Sequence, residues 1–251
     1  MAEPNALRIL VVNGKGGCGK TTIATNLAAA YARLGYCVAL TDLDSQASST
    51  QWLEQRAAPL PEIHLVAAHE RTAMYTTRAY AQRLPHGVDR IIIDTPSAVS
   101  DRDLDSLLRG IDAILVPLLP SSIDIRAGAR FITQLLSHRS YRARPAPIGV
   151  IANRVRHNTT THTKLMQFLD CLDVPTIATF RDSALYTRLA DEGSGIFDDV
   201  SDSSAEREAL EWSKLMHWID EVTSHRTGTR QLGPLAAAPH QRNSESASAG
   251  I

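Results

Sequence analysis

Two lysines share the run Gly14-Lys15-Gly16-Gly17-Cys18-Gly19-Lys20-Thr21-Thr22. Gly14, Gly19, Lys20 and Thr21 satisfy the phosphate-loop spacing G-x-x-x-x-G-K-[ST]. Glycines at these places let backbone N–H groups curl around an anion, and a helix starting there adds its partial positive charge. Lys20 would neutralise β- and γ-phosphates, and the Thr21 hydroxyl would hold Mg2+. Lys15 is surplus to that pattern. A cation just after the first glycine is aimed at phosphates from an unusual direction, such as those of a neighbouring subunit. The chain's lysines are Lys15, Lys20, Lys164 and Lys214, so half of them stand in this loop of an otherwise arginine-rich protein.

Two further groups carry oxygen ligands. Thr41-Asp42-Leu43-Asp44-Ser45-Gln46 places two carboxylates two residues apart. Beside a phosphate loop, such a pair serves Mg2+ hydration and the positioning of an attacking water. The apolar run Arg90-Ile91-Ile92-Ile93 ends in Asp94 and is followed by Thr95-Pro96-Ser97. That is the Walker B pattern, with Asp94 near Mg2+ through a water. The proline fixes φ and opens a loop able to sense the γ-phosphate.

These groups need strand ends to hold them together. Apolar, β-rich runs predict strands at Leu7–Val12, Val38–Asp42, Ile63–Ala67, Arg90–Asp94, Ala113–Pro117, Ile148–Ala152 and Pro175–Ala178. Helical patterns lie between them near 22–34, 46–56, 70–83, 102–109, 125–138 and 159–171. The alternation predicts an α/β fold: one doubly wound, mostly parallel sheet with helices on both faces, as in phosphate-loop NTPases. In such sheets ligands sit at the carboxyl ends of strands, where all three groups fall. Residues 204–222 predict a further amphipathic helix, with Trp212, Leu215, Ile219 and Val222 on one stripe. Its other face is acidic, which suits docking on the domain better than insertion into an anionic membrane. From His225 the composition turns to Ser, Ala, Gly and Pro, so residues 1–224 are expected to form one domain and 225–251 a disordered tail.

Composition narrows the class. With 251 residues and 43% hydrophobic content the chain can bury the core of a single α/β domain. It has no apolar run of a transmembrane length, about 18 residues. The beginning MAEPNALR lacks the charged and apolar regions of a secretory leader. Cys18, Cys37 and Cys171 show no C-x-x-C spacing, as expected in a reducing cytosol. Cys18 fills a free position of the loop and reads as a small tolerated residue rather than a redox switch. The net charge is only −1, but it is unevenly spread. Residues 138–188 hold eight basic and three acidic residues, and 189–221 hold ten acidic and two basic ones. This contrast predicts a basic face and a separate acidic one.

Together these motifs resemble the ParA/MinD family of deviant-Walker ATPases. The match rests on Lys15 and Lys20 in their loop, on Asp42-Leu43-Asp44-Ser45-Gln46, and on Ile93-Asp94-Thr95-Pro96, and it extends from Leu7 to about Val222. The resemblance implies ATP sandwiched between two subunits of a homodimer, with Lys15 of each contacting the other's phosphates. It implies that Asp44 positions the hydrolytic water and that Asp42, Asp94 and Thr21 serve Mg2+. Gly14, Lys15, Gly16, Gly17, Cys18, Gly19, Lys20, Thr21 and Thr22 would line the nucleotide's phosphates, and Asn153 matches the family's adenine-contacting asparagine. Few residues precede the first strand, so the short form without an N-terminal helix-turn-helix is the nearest kind. Pro120-Ser121-Ser122-Ile123-Asp124 also resembles small plasmid-partition members and the McdA type that positions carboxysomes.

The function this implies is ATP-dependent positioning. An ATP-bound dimer would bind nucleoid DNA without sequence preference, in the cytoplasm, until an adaptor on the cargo stimulates hydrolysis. Arg139, Arg142, Arg144, Arg154, Arg156, Lys164, Arg181 and Arg188 are the candidate phosphate-backbone contacts. A membrane-associated regulator of the MinD type is the alternative, and the acidic last helix speaks against it. A reductase resembling the nitrogenase iron protein needs two cysteines after the Walker B strand, where only Cys171 lies.

Overall fold

Each predicted strand inside the described residues forms, and all of them join one sheet. The computed structural model describes residues 6–68, 84–156, 159–171, 174–199 and 203–224. The predicted helix at 70–83 and the tail from His225 lie outside them. The elements in chain order are β1 (Leu7–Val11), α1 (Lys20–Arg33), β2 (Val38–Asp42), α2 (Ser48–Gln55), β3 (His64–Ala67) and β4 (Arg90–Asp94). Then come α3 (Asp101–Leu107), β5 (Ala113–Leu118), α4 (Ser122–Ser137), α5 (Arg139–Ala143) and β6 (Ile148–Val155). The chain continues through α6 (Thr160–Leu169), β7 (Thr176–Arg181), α7 (Ala184–Asp191) and α8 (Ser203–Thr223).

The seven strands are parallel and lie in the order β3-β2-β4-β1-β5-β6-β7. Each residue of β2, β4 and β5 is buried, as continuous apolar runs require when helices cover both faces. One face packs against α1, α2, α7 and α8 through Ile23, Leu27, Trp52, Leu189, Trp212 and Leu215. The opposite face packs against α3, α4 and α6 through Leu104, Phe131, Ile132, Leu135, Leu165 and Leu169.

Register does the positioning. Val11 pairs with Asp94, and Asp94 with Asp42, so β1, β4 and β2 end in one row. The phosphate loop, the Asp94–Ser100 loop and the Asp44 loop therefore emerge at the same edge of the sheet. Three kinds of feature depart from the sequence reading. β6 runs on to Val155 rather than ending at Ala152, with a bulge at Arg154, whose φ is 52°, and β7 runs on to Arg181 rather than Ala178. α7 was not foreseen, although Ser183 caps it and Leu185 and Leu189 form its buried stripe. α5 is the third, a short helix interposed before β6. The last helix docks as its stripe implies: Trp212, Leu215 and Ile219 are fully buried, and Trp212 stacks on Phe180 of β7 at 4.4 Å. Glu211 accepts a hydrogen bond from the Thr179 N–H at 3.1 Å, which occupies part of the β7 edge.

Candidate nucleotide site

The loop between β1 and α1 is tied down from both sides. Asn13, buried, donates to the Pro117 carbonyl at 2.7 Å and accepts from the Lys15 N–H at 3.1 Å. That residue was not singled out from sequence, since one asparagine after a strand resembles any turn residue. Gly17 and Gly19 have φ of 73° and 93°, values that L side chains rarely adopt. A Cβ on Gly19 would also come within 2.1 Å of the Asn153 amide nitrogen. Asn153 donates from that nitrogen to the Cys18 carbonyl at 2.8 Å, bolting β6 onto the loop. The Cys18 thiol is buried and donates to the Lys15 carbonyl at 3.3 Å. Burial outweighs the nearby Lys20 and raises its pKa, so the thiol stays protonated and packs.

The two lysines point differently. Lys20 turns into its own loop, its amine donating to the Lys15 carbonyl at 3.2 Å. Lys15 turns outward: its amine lies 2.7 Å from Asp124 Oδ1 at the start of α4, and its side chain is 39% exposed.

The carboxylates sit where the register places them. Asp94 is fully buried. Its Oδ2 accepts from the Ser49 hydroxyl at 2.6 Å, while its Oδ1 is buried with no hydrogen-bond partner of good geometry among the described residues. Burial pushes its pKa up to about 6, against the lowering effects of Ser49 and Thr21 hydroxyls. Asp42 is also fully buried, and its oxygens accept from the Asp44 N–H at 3.0 Å, the Thr50 N–H at 2.9 Å and the Thr50 hydroxyl at 2.8 Å. The first turn of α2 thus holds both strand-end carboxylates. Asp44 is half-buried and accepts from the Gln46 N–H at 3.0 Å.

These loops surround a cleft of about 610 Å³ lined by Gly16, Gly19, Lys20, Thr21, Thr22, Asp44 and Asn153, and by Asp182, Ser183, Tyr186 and Thr187 from β7 and α7. That volume suits a nucleotide. A second, more apolar cavity beneath α3, of about 170 Å³ and lined by Leu43, Ile93, Pro96 and Leu107, is too small for one. The oxygens present fit Mg2+: the Thr21 hydroxyl for direct ligation, and the orphaned Asp94 Oδ1 as acceptor for a water on the ion.

The basic residues foreseen as one patch separate into two sets. Arg139 pairs with Asp105 at 2.9 Å, Arg154 and Arg156 with Asp182 at 3.2 and 2.7 Å, Arg181 with Glu208 at 2.6 Å, and Arg188 with Asp199 at 2.7 Å. Hydrogen bonds from Arg139 and Ser140 hold the Asp105 carboxyl down at about 2, and Arg156 foremost keeps Asp182 below its usual value. Arg142, Arg144 and Lys164 are exposed and make no ion pair with a described residue. Arg126 and Arg130, one turn apart on α4, share that condition and were missed because they fall outside the densest basic stretch.

A phosphate-cradling loop at a central strand of a parallel sheet, with acidic strand ends on either side, defines a phosphate-loop nucleotide-binding protein. Comparison with known proteins sharpens this. Residues 9–194 match the family model described as the CobQ/CobB/MinD/ParA nucleotide binding domain, and the chain belongs to that family. The Maintenance of carboxysome distribution protein A of Halothiobacillus neapolitanus is 28% identical over 198 residues, covering 78% of this chain and 89% of that protein. Among solved structures, the septum site-determining protein MinD complexed with Mg-ADP from Pyrococcus horikoshii OT3 aligns with a TM-score of 0.66 at 19% identity, covering 91% of this chain and 100% of that one. A plasmid partition protein from Borrelia burgdorferi B31 bound to AMPPNP aligns with a TM-score of 0.65 at 18% identity, covering 85% and 99%.

Proposed function

We propose that the chain is an ATP-driven positioning ATPase that dimerises on ATP and distributes a cargo over nucleoid DNA, with carboxysomes as the cargo. The observation that carries the dimeric reading is the division of labour between the lysines. Lys20 serves its own loop, whereas Lys15 is absent from the residues lining its own cleft and turns away from them to Asp124, with its side chain 39% exposed. Once released from Asp124, a cation at this place suits the phosphates of a second copy laid against this edge.

In this reading the loop N–H groups and Lys20 bind the phosphates, and the Asn153 side chain meets the base. Asp44 orients the attacking water, and Lys15 from the partner stabilises charge developing on the γ-phosphoryl oxygens. Thr21 and, through a water, Asp94 would hold Mg2+, which would supply positive charge against the phosphates. Asp42, already holding three donors, orients the Asp44 loop and contributes negative charge beside Asp94. Without an adaptor the water is poorly positioned, so intrinsic turnover is slow. The carboxysome assignment draws on the similarity to the Halothiobacillus protein over most of both chains.

Non-specific DNA binding is supported by cations without an ion-pair partner among the described residues: Arg126, Arg130, Arg142 and Lys164 on the helices α4, α5 and α6, with α5 and α6 each packed on α4, and Arg144 just after α5. Arg139, Arg154, Arg156, Arg181 and Arg188 offer less, since each is partly neutralised in place. Sedimentation with ADP or a non-hydrolysable ATP analogue, then DNA-binding isotherms at rising salt, tests the reading. The expected result is an ATP-dependent dimer that binds unrelated duplexes equally and loses affinity steeply with salt. A nucleotide-saturated chain that stays monomeric, or a dimer without affinity for DNA, overturns it.

A further inference from the structure

The carboxylate facing Lys15 has no part in the reaction described above, yet it is well held. Asp124 stands in the first turn of α4, where its N–H donates to the Ser121 hydroxyl at 3.1 Å and its Oδ2 accepts from that same hydroxyl. One carboxylate oxygen is thereby fixed, and the other, Oδ1, is left facing the Lys15 amine at 2.7 Å. The approach is an ion pair outside hydrogen-bond alignment, and Oδ1 has no hydrogen-bond partner among the described residues. Asp124 is only 14% exposed, so the lysine comes to the carboxylate rather than the reverse. Burial alone would raise the Asp124 pKa, but the contacts with Lys15 and Ser121 outweigh it and keep the group ionised.

We propose that Asp124 is a positioning residue that holds Lys15 in its own chain until a second copy arrives, so that dimerisation must first release this ion pair. The proposal rests on the ATP-sandwich reading and adds a threshold to it. A Lys15 tied to Asp124 cannot reach another subunit's phosphates. Both lysines must leave their carboxylates for a symmetric dimer to close. The nucleotide-free chain is thereby kept from closing early, and the phosphates of bound ATP must outcompete Asp124.

The test is the dimer dissociation constant with AMPPNP, measured by analytical ultracentrifugation for the parent chain and Asp124→Asn. Two partly exposed ion pairs are lost per dimer, so Asp124→Asn is expected to tighten dimerisation roughly two- to thirtyfold. In a Lys15→Ala background the same substitution is expected to change nothing. An equal dissociation constant for parent and Asp124→Asn overturns the proposal, as does an equal gain with and without Lys15, which would be general relief of charge. A parent chain that stays monomeric with AMPPNP removes the sandwich reading itself, and the threshold with it. Should Asp124→Asn not fold, amine acylation of the nucleotide-free parent decides. Lys15 is expected to react several-fold more slowly than the exposed Lys164, and equal rates overturn the proposal.

Discussion

Asp94 is a buried carboxylate with one oxygen bonded to Ser49 and the other without a hydrogen-bond partner of good geometry among the described residues, and its ionisation should be visible in the stability of the nucleotide-free chain. Burial raises its pKa from 3.8 to about 6, so the folded state holds this proton more tightly than the unfolded chain. The stabilisation tied to that proton is fully present below the unfolded value and is lost as pH rises through the folded one. Between pH 7.5 and 5 the native state regains about 1.4 kcal/mol from this group, and about 3 kcal/mol once pH is below both values. Asp94→Asn has no such proton, and comparing slopes cancels any constant cost of burying the amide. For a domain of this size the difference at pH 5 is about 3–6 °C in Tm. Thermal or urea unfolding of both proteins without nucleotide at the two pH values is the assay. The parent should gain on the variant as pH falls. Parallel profiles would refute the assignment of a buried carboxylate whose desolvation outweighs its hydrogen bonds.

Two other perturbations probe the packing. Trp212→Ala removes a fully buried indole stacked on Phe180 and is expected to cost about 3–5 kcal/mol in urea unfolding. A loss below about 1 kcal/mol would mean that α8 does not dock as described. Gly19→Ala places a Cβ at a φ of 93° and against the Asn153 amide, so ATP affinity measured by calorimetry should fall at least tenfold. The backbone strain alone is of order 1–3 kcal/mol, and unchanged affinity would show that the loop does not hold phosphate in this conformation.

Much of the site was legible because its parts are local patterns attached to strands. Leu7–Val11, Val38–Asp42 and Arg90–Asp94 are apolar runs that must be buried on both faces; the last two end at a residue of the site, and the first runs straight into the phosphate loop. Their parallel pairing then brings Asp42 and Asp94 side by side without further information. The parts that escaped are long-range or conditional. Ser49 and Thr50 look like ordinary helix-start residues until the fold carries them to Asp94 and Asp42. Asn13 bridges to Pro117 across 104 positions. Asp124 read as part of a subfamily motif, and only the structure shows it facing Lys15. The basic stretch was legible as composition, but which arginines remain unpaired depends on acids such as Asp105, Asp182 and Glu208 brought in by the fold.

The central claim is that Lys15 works in the partner's site while Asp44 works in its own. Mixing Lys15→Ala with Asp44→Ala, each inactive alone, tests it most directly through ATP turnover with the stimulating partner or at high protein concentration. In a mixed dimer one site regains both groups, Asp44 from the Lys15→Ala chain and Lys15 from the Asp44→Ala chain. With random pairing, half the dimers carry one competent site, so the mixture should recover about a quarter of the parent's activity. A mixture that forms heterodimers yet stays inactive would place Lys15 in the same chain's site and contradict the account.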